Sequence, residues 1–208
     1  MIRIVLADDH RIVTDGLKQI LSHQADMEIS AVVEDGDSLC ALLQTGTEVD
    51  IVVLDMSMPG RTGLDLLKHL RRFWPKLPIL VLSMHPESIY GLRALKSGAN
   101  GYLTKDSDAS QLVSAVRQVA AGKSFASEEL IDQLVGSTRG AQGSEVQALS
   151  DRELLVLQLL ASGSSVTVIA DRLCLSVKTV STHKANIQRK LGVTGTAHLV
   201  KYALSNGI

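Results

Sequence analysis

Apolar and polar positions along the first 121 residues switch repeatedly between two periods. Short apolar runs of the kind that form strands buried in a parallel sheet occur at Ile2–Ala7, Glu28–Val33, Ile51–Asp55, Pro78–Leu82 and Gly101–Leu103. Helical spacing fills the gaps between them. Arg11–Gln24 carries Ile12, Leu17, Ile20 and Leu21 toward one face, and Ser38–Gln44 is a second helical stretch. Leu64–Phe73 is ended by Trp74-Pro75, Glu87–Ser97 stops at Gly98, a residue suited to a left-handed cap, and Ser107–Ala121 is the fifth. Five strands alternating with five helices predict a doubly wound parallel sheet.

The pattern changes after Ala121. Ser127–Val135 has the spacing of a short helix, and the Gly-rich stretch from Gly136 to Gly143 has no apolar period. The residues 122–148 therefore read as a linker. Its last thirteen residues span roughly 20 Å as flexible chain, so the two ends of the protein are free to touch or to part. From Leu149 onward the period is helical throughout. Ser150-Asp151-Arg152-Glu153 has the form of a capping box, followed by a leucine-rich helix that ends at Gly163. Val166–Leu173 is a short helix, Ser176 caps Val177–Leu191, and Thr196–Ser205 closes a small all-α domain.

Whole-chain charge, −1, names no partner. Its distribution says more. Residues 1–126 hold 13 Lys+Arg against 15 Asp+Glu, residues 127–148 hold 1 against 4, and residues 149–208 hold 7 against 3. The basic third segment is a mild sign of a polyanionic partner. Cys40 and Cys174 lie far apart inside helical patterns and read as buried thiols of a reducing compartment. The chain shows no signal peptide and no apolar run of about 18 residues, so a cytoplasmic protein with no membrane partner is expected.

Chemistry concentrates at the carboxyl ends of the strands, where parallel sheets bind ligands. Asp8, Asp9 and Asp55 fall there, and the first and third strands should be neighbours. Asp55 alone is as consistent with capping the Met56–Gly60 turn as with a reaction. Three crowded carboxylates repel one another unless a cation sits among them, and hard oxygen ligands suit Mg²⁺. Ser83 and Lys105 end the fourth and fifth strands at the same edge. A hydroxyl and an ammonium there would bind the oxygens of a phosphoryl group, with an aspartate as its acceptor. His10 and His85 adjoin this site and read as exposed loop histidines.

These residues carry a resemblance. Leu6-Ala7-Asp8-Asp9-His10, Val53-Leu54-Asp55-Met56-Ser57-Met58-Pro59-Gly60, Val81-Leu82-Ser83-Met84 and Gly101-Tyr102-Leu103-Thr104-Lys105 resemble the receiver domain of bacterial response regulators. The resemblance covers 1–121 and implies a flavodoxin-like five-stranded fold. It implies that Asp55 accepts phosphate from a sensor histidine kinase. It also implies that Asp9, Asp55 and the carbonyl of Ser57 ligate Mg²⁺, with Asp8 acting through water. Ser83 and Tyr102 match the pair that moves on phosphorylation, and Lys105 the lysine on the phosphoryl group. Asp106 stands where many receivers have proline, and a non-proline cis bond after Lys105 would cost about 3 kcal/mol.

In the third segment, two helices joined through Cys174-Leu175-Ser176 have the length of a helix-turn-helix. With Ile187 inward, Val180, Leu191 and more loosely Val177 share its side at 100° per residue. Lys178, Thr182, Ala185 and Arg189 lie opposite, with Ser181 on the flank. Such a face is either a solvated surface or a helix that enters the major groove. His183 falls near Val180 and Ile187 and should be partly buried. Lys178, Lys184, Arg189 and Lys190 are the cations in or beside this helix. If about three per subunit neutralise phosphate, a dimer's salt slope would be roughly −5.

Leu149-Ser150-Asp151-Arg152-Glu153-Leu154, Ile169-Ala170, Leu175-Ser176-Val177-Lys178-Thr179-Val180-Ser181-Thr182-His183 and Lys190-Leu191-Gly192-Val193 resemble the LuxR-type DNA-binding domain of the NarL/FixJ class. Val166-Thr167-Val168 departs from it, where many relatives have Asn-Lys-Glu. The resemblance implies DNA contacts from Lys178, Ser181, Thr182, Ala185 and Arg189. It implies a homodimer on DNA, with Leu199, Val200 and Ala203 of the last helix at the contact or in the domain's own packing. RNA polymerase is a further candidate partner. A phosphorylation-controlled, non-enzymatic transcription regulator is the leading reading. The alternatives are a phosphorylation-independent DNA-binding regulator and a Mg²⁺-dependent aspartyl-phosphate phosphatase, which would need a substrate cap that the chain has no segment to form.

Overall fold

A computed structural model describes residues 1–58, 63–138, 145–173 and 175–208. The first half alternates β1 (Ile2–Ala7), α1 (Arg11–Ser22), β2 (Met27–Val33), α2 (Gly36–Gln44), β3 (Ile51–Asp55), α3 (Gly63–Phe73), β4 (Ile79–Ser83), α4 (Glu87–Lys96), β5 (Gly101–Thr104) and α5 (Ala109–Ala120). The five strands form one sheet in the order β2-β1-β3-β4-β5, every pair parallel. This is the doubly wound sheet that the alternating periods predict. β3 and β4 are buried at every position, which is why they read as continuous apolar runs rather than as alternation.

Polar side chains set several helix starts. Asp35 accepts from the Ser38 amide at 2.7 Å and begins α2 two residues earlier than the apolar pattern suggests. Asp108 accepts from the Gln111 amide at 2.8 Å and begins α5 two residues later. Gly98 follows α4 with φ +109°, a conformation that favours glycine, as the cap reading anticipated. Ile12 departs from expectation: it is 90% exposed, whereas Leu17 and Leu21 are buried. Ile12 stands about 140° around the helix from Leu17 at 100° per residue.

The segment after α5 is ordered at its start. Phe125 bridges to Gly101 beside β5, and α6 (Glu128–Thr138) follows, running beyond the expected end at Val135. Ser127 Oγ accepts from the Leu130 amide at 3.1 Å. Leu130 is buried against α4, where a Cβ on Gly91 would lie 2.8 Å from its Cδ2. The chain divides into two compact units, Met1–Leu134 and Val135–Ile208, so these contacts belong to the first. Residues 139–144, which include most of the Gly-rich stretch, lie outside the described residues, as does Cys174. Cys40 is buried.

The second unit contains a 3₁₀ turn (Glu145–Ala148), α7 (Asp151–Ala161), α8 (Val166–Arg172), α9 (Val177–Lys190) and α10 (Thr196–Ser205). The capping box forms as read: the Ser150 amide donates to Glu153 Oε2 at 2.7 Å, and the Glu153 amide to Ser150 Oγ at 3.3 Å. α7 is the hub, touching α8, α9 and α10. Leu157, Ile169, Val180, Ile187 and Leu199 fill the centre. Among the described residues no helix is long and apolar enough to cross a membrane.

Candidate functional site

Register builds the pocket. Ala7 lies opposite Leu54 across the β1–β3 pair, so Asp8 and Asp55 leave the sheet side by side. Ser83 pairs with Thr104, and the Lys105 amide donates to the Ser83 carbonyl at 2.8 Å, which turns the lysine over the same edge. Its ammonium reaches Asp8 Oδ2 at 2.7 Å and Asp55 Oδ2 at 3.1 Å, with the side chain 5% exposed. Asp8, Asp55 and Ser83 are buried, and Asp9 is exposed at the rim.

The two oxygens of Asp55 have different surroundings. Oδ1 accepts from the Ser57 amide at 3.1 Å. Oδ2 is buried and has no aligned hydrogen-bond donor; Lys105 is close to it, but off the direction of a hydrogen bond. Burial pushes the Asp55 carboxyl up from its ordinary value; Lys105 opposes this and Asp8 adds to it. The Lys105–Asp106 peptide is trans, as are all described peptide bonds.

One of the two histidines differs from the sequence reading. His10 is exposed as read, and its Nδ1 lies 2.9 Å from Asp9 Oδ1 and 3.2 Å from Asp8 Oδ1. His85 is half-buried and stacks on Tyr90 with centroids 4.6 Å apart. Burial lowers the His85 pKa, and Lys105 lowers it further. The His85 amide donates to Ser83 Oγ at 3.2 Å, and the Tyr102 hydroxyl donates to the His85 carbonyl at 2.8 Å. Tyr102 is 1% exposed, and burial raises its pKa. Ser83 and Tyr102 thus meet through the backbone of one loop residue, a link that no motif displays.

The donor set fits a hard divalent cation. Asp8, Asp9 and Asp55 each present an oxygen, and these atoms with a His10 nitrogen lie within 4.8 Å of one another. The buried, donor-free Oδ2 of Asp55 is the kind of atom that a cation satisfies.

In the second unit, Lys178, Ser181, Thr182, Ala185 and Arg189 are all exposed and share one face of α9. His183 is partly buried, as its position near Val180 and Ile187 implied. Ser176 Oγ caps the helix by accepting from the Thr179 amide at 3.0 Å. Two of the four cations counted from sequence are engaged elsewhere. Lys190 donates to Glu153 Oε2 at 2.7 Å and to the Ala148 carbonyl at 3.1 Å, tying α9 to the capping box. Lys184 donates to Thr196 Oγ1 at the start of α10. Val177, read as loosely inward, is 48% exposed, because it opens the helix beyond the edge of the core.

On α10 the expected contact residues separate. Leu199 and Ala203 are fully buried inside the domain. They stand four residues apart on the helical face that packs on α7, so they are not surface residues. Val200 is partly exposed and lines a shallow apolar depression with Ala197, Lys201 and Leu204.

Comparison with known proteins agrees with this geometry. Residues 4–117 match the response regulator receiver domain, and residues 147–203 match the LuxR family of bacterial regulatory proteins. The oxygen regulatory protein NreC of Staphylococcus epidermidis is 39% identical over 97% of this chain and 96% of its own. The fimbriae Z protein of Salmonella typhimurium is 34% identical over 98% and 96%. Among solved structures, Salmonella enterica RcsB bound to the promoter rprA with the phosphomimetic BeF₃⁻ superposes with a TM-score of 0.76. It shares 29% identity, and the match covers 99% of this chain and 100% of that one. The chain belongs to the two-component response regulators of the NarL/FixJ class, in which a receiver domain precedes a LuxR-type helix-turn-helix that binds DNA.

Proposed function

We propose that Asp55 is the phosphoryl acceptor of this regulator and that a sensor histidine kinase is the donor. The observation that carries the reading is the state of Asp55 Oδ2, buried, without a hydrogen-bond donor, and 3.1 Å from the Lys105 ammonium. A carboxylate oxygen held this way has no hydrogen bond to break before it attacks phosphorus, only its ion pair with Lys105 to share with the incoming group. As the oxygen–phosphorus bond forms, the donor's bond to phosphorus breaks and the leaving group departs with its electron pair. Lys105 then offers its charge to the new phosphoryl oxygens, and the Ser83 hydroxyl lies at the next strand end to donate to them. Asp9, Asp55 and the Ser57 carbonyl would hold Mg²⁺, with Asp8 acting through water. When bound, Mg²⁺ supplies neutralisation of charge on the transferring group.

The receiver occupies 1–121, the linker 122–148 and the DNA-binding domain 149–208. The output is transcriptional, from the cytoplasm, by a homodimer on paired half-sites with RNA polymerase as a further partner. The dimer contact lies on the exposed side of α10 at Val200, with Ala197 and Leu204, since Leu199 and Ala203 are internal. Family members are typically non-enzymatic transcription factors, and no small-molecule turnover is expected.

Intact-mass measurement with acetyl phosphate and Mg²⁺ tests the acceptor. Wild type should gain one phosphoryl group and Asp55→Ala none; equal labelling would refute the assignment. DNA affinity that does not respond to that label would favour the phosphorylation-independent alternative.

A further inference from the structure

We infer that α9 reads thymine methyl groups, through a ridge on which Val177 and Ala185 stand. The inference deepens the DNA-binding reading and rests on it. Val177, Ser181, Ala185 and Arg189 are spaced four apart, so they form one row along the helix, and all four are exposed. Val177 is the unexpected member. Val177 is 48% exposed at the first position of the helix, beyond the edge of the core.

The N-terminal residues of a recognition helix are the ones that reach base edges. Forked side chains read guanine or adenine there: Arg, or Asn and Gln. None stands on the exposed face of the first turns of α9. Arg189 lies three turns away and donates to Asn186 Oδ1 at 3.1 Å. Asn186 and Gln188 are partly buried. The Thr182 hydroxyl donates to the Lys178 carbonyl at 3.0 Å, so its proton is committed to its own helix.

What remains at the reading end is the Val177 isopropyl group, the methyl groups of Thr182 and Ala185, a serine hydroxyl and one ammonium. In the major groove the thymine C5-methyl is the feature that an apolar side chain recognises. Water-exposed Val177 gains by meeting it. A hydroxyl such as Ser181 accepts either partner and discriminates little. Lys178 adds charge and donors that fit guanine O6 and N7, and its ammonium has no apolar end to meet a thymine methyl.

The test uses full-length protein treated with acetyl phosphate and Mg²⁺. A bound site is selected from random-sequence duplexes and resynthesised with uracil in place of each thymine in turn, which removes one methyl group and no hydrogen bond. Affinity at fixed salt should fall about fourfold at one or two thymines in each half-site. Val177→Ala should bring the thymine-to-uracil ratio near one at its position and leave the salt slope unchanged. Equal affinity for thymine and uracil at every position would overturn the inference, as would a selected site without thymine. A ratio unmoved by Val177→Ala would overturn the role of Val177. Failure to enrich any sequence would remove the DNA-binding reading itself, and the inference with it.

Discussion

The receiver pocket and the outer face of α9 are built in opposite ways. The pocket collects Asp8, Asp55, Ser83 and Lys105 from four strand ends and buries them together, with Lys105 shared between two carboxylates. The α9 face takes its residues from one helix and exposes all of them. In the pocket a single charge is felt strongly because water is excluded. On the helix each charge is screened and acts mainly by displacing counterions from its partner. A charge that serves the pocket must therefore be paired with an opposite charge at rest, whereas a charge that serves DNA must be free of one. The same rule sorts the cations of α9 itself: Lys190, beside buried Glu153, behaves like a pocket residue, and Lys178 like an interface residue.

Four substitutions test that division. The largest loss should come from Lys105→Ala, which leaves two buried carboxylates side by side without their cation. It should destabilise the receiver by about 3 kcal/mol in urea titrations, with Mg²⁺ restoring part of the loss. It should also bind Mg²⁺ and yet respond weakly to phosphorylation. Lys190→Ala comes next. It strands buried Glu153 and should cost the DNA-binding domain about 2 kcal/mol without changing the salt slope.

Lys178→Ala should do the reverse, leaving stability within about 0.5 kcal/mol and flattening the slope. With Lys184 and Lys190 engaged, α9 offers Lys178 and Arg189. A dimer's slope from this helix should then be roughly −4 rather than −5. An unchanged slope in Lys178→Ala would break the distinction between the two regions.

Asp55→Asn should act with the opposite sign. Burial raises the Asp55 pKa above its unfolded value of 3.8, so at pH 7 its charge costs the native state stability. That cost is complete above the raised pKa and disappears below 3.8, where both states are protonated. With Mg²⁺ chelated, Asp55→Asn should raise Tm at pH 7 and leave it nearly unchanged at pH 3. A lower Tm at pH 7 would mean that Lys105 outweighs burial.

Much of the molecule was readable from the chain alone. Apolar runs ending in Asp8, Asp55 and Ser83 located three of the strands and the edge where the pocket forms. Local signals such as Ser150 with Glu153, Gly98 and Ser176 depend on residues within one turn, so sequence carries them fully. The exposed set Lys178, Ser181, Thr182, Ala185 and Arg189 followed from 100° per residue with Ile187 as the reference.

Tertiary structure decided what each face meets. The resemblance grouped Leu199, Val200 and Ala203 at one contact, but the position of α7 buried the first and third and left Val200 outside. Periodicity grouped Ile12 with Leu17, although the sheet covers only the side that carries Leu17 and Leu21. It could not show that Lys190 crosses to Glu153, that His10 leans onto Asp9, or that His85 joins Ser83 to Tyr102. The Lys190–Glu153 and Tyr102–His85 contacts join different elements, and the short loop contacts of His10 and His85 depend on how those loops are held at the sheet edge. Their partners are fixed by how elements stack, and a pattern along one element contains no term for its neighbour.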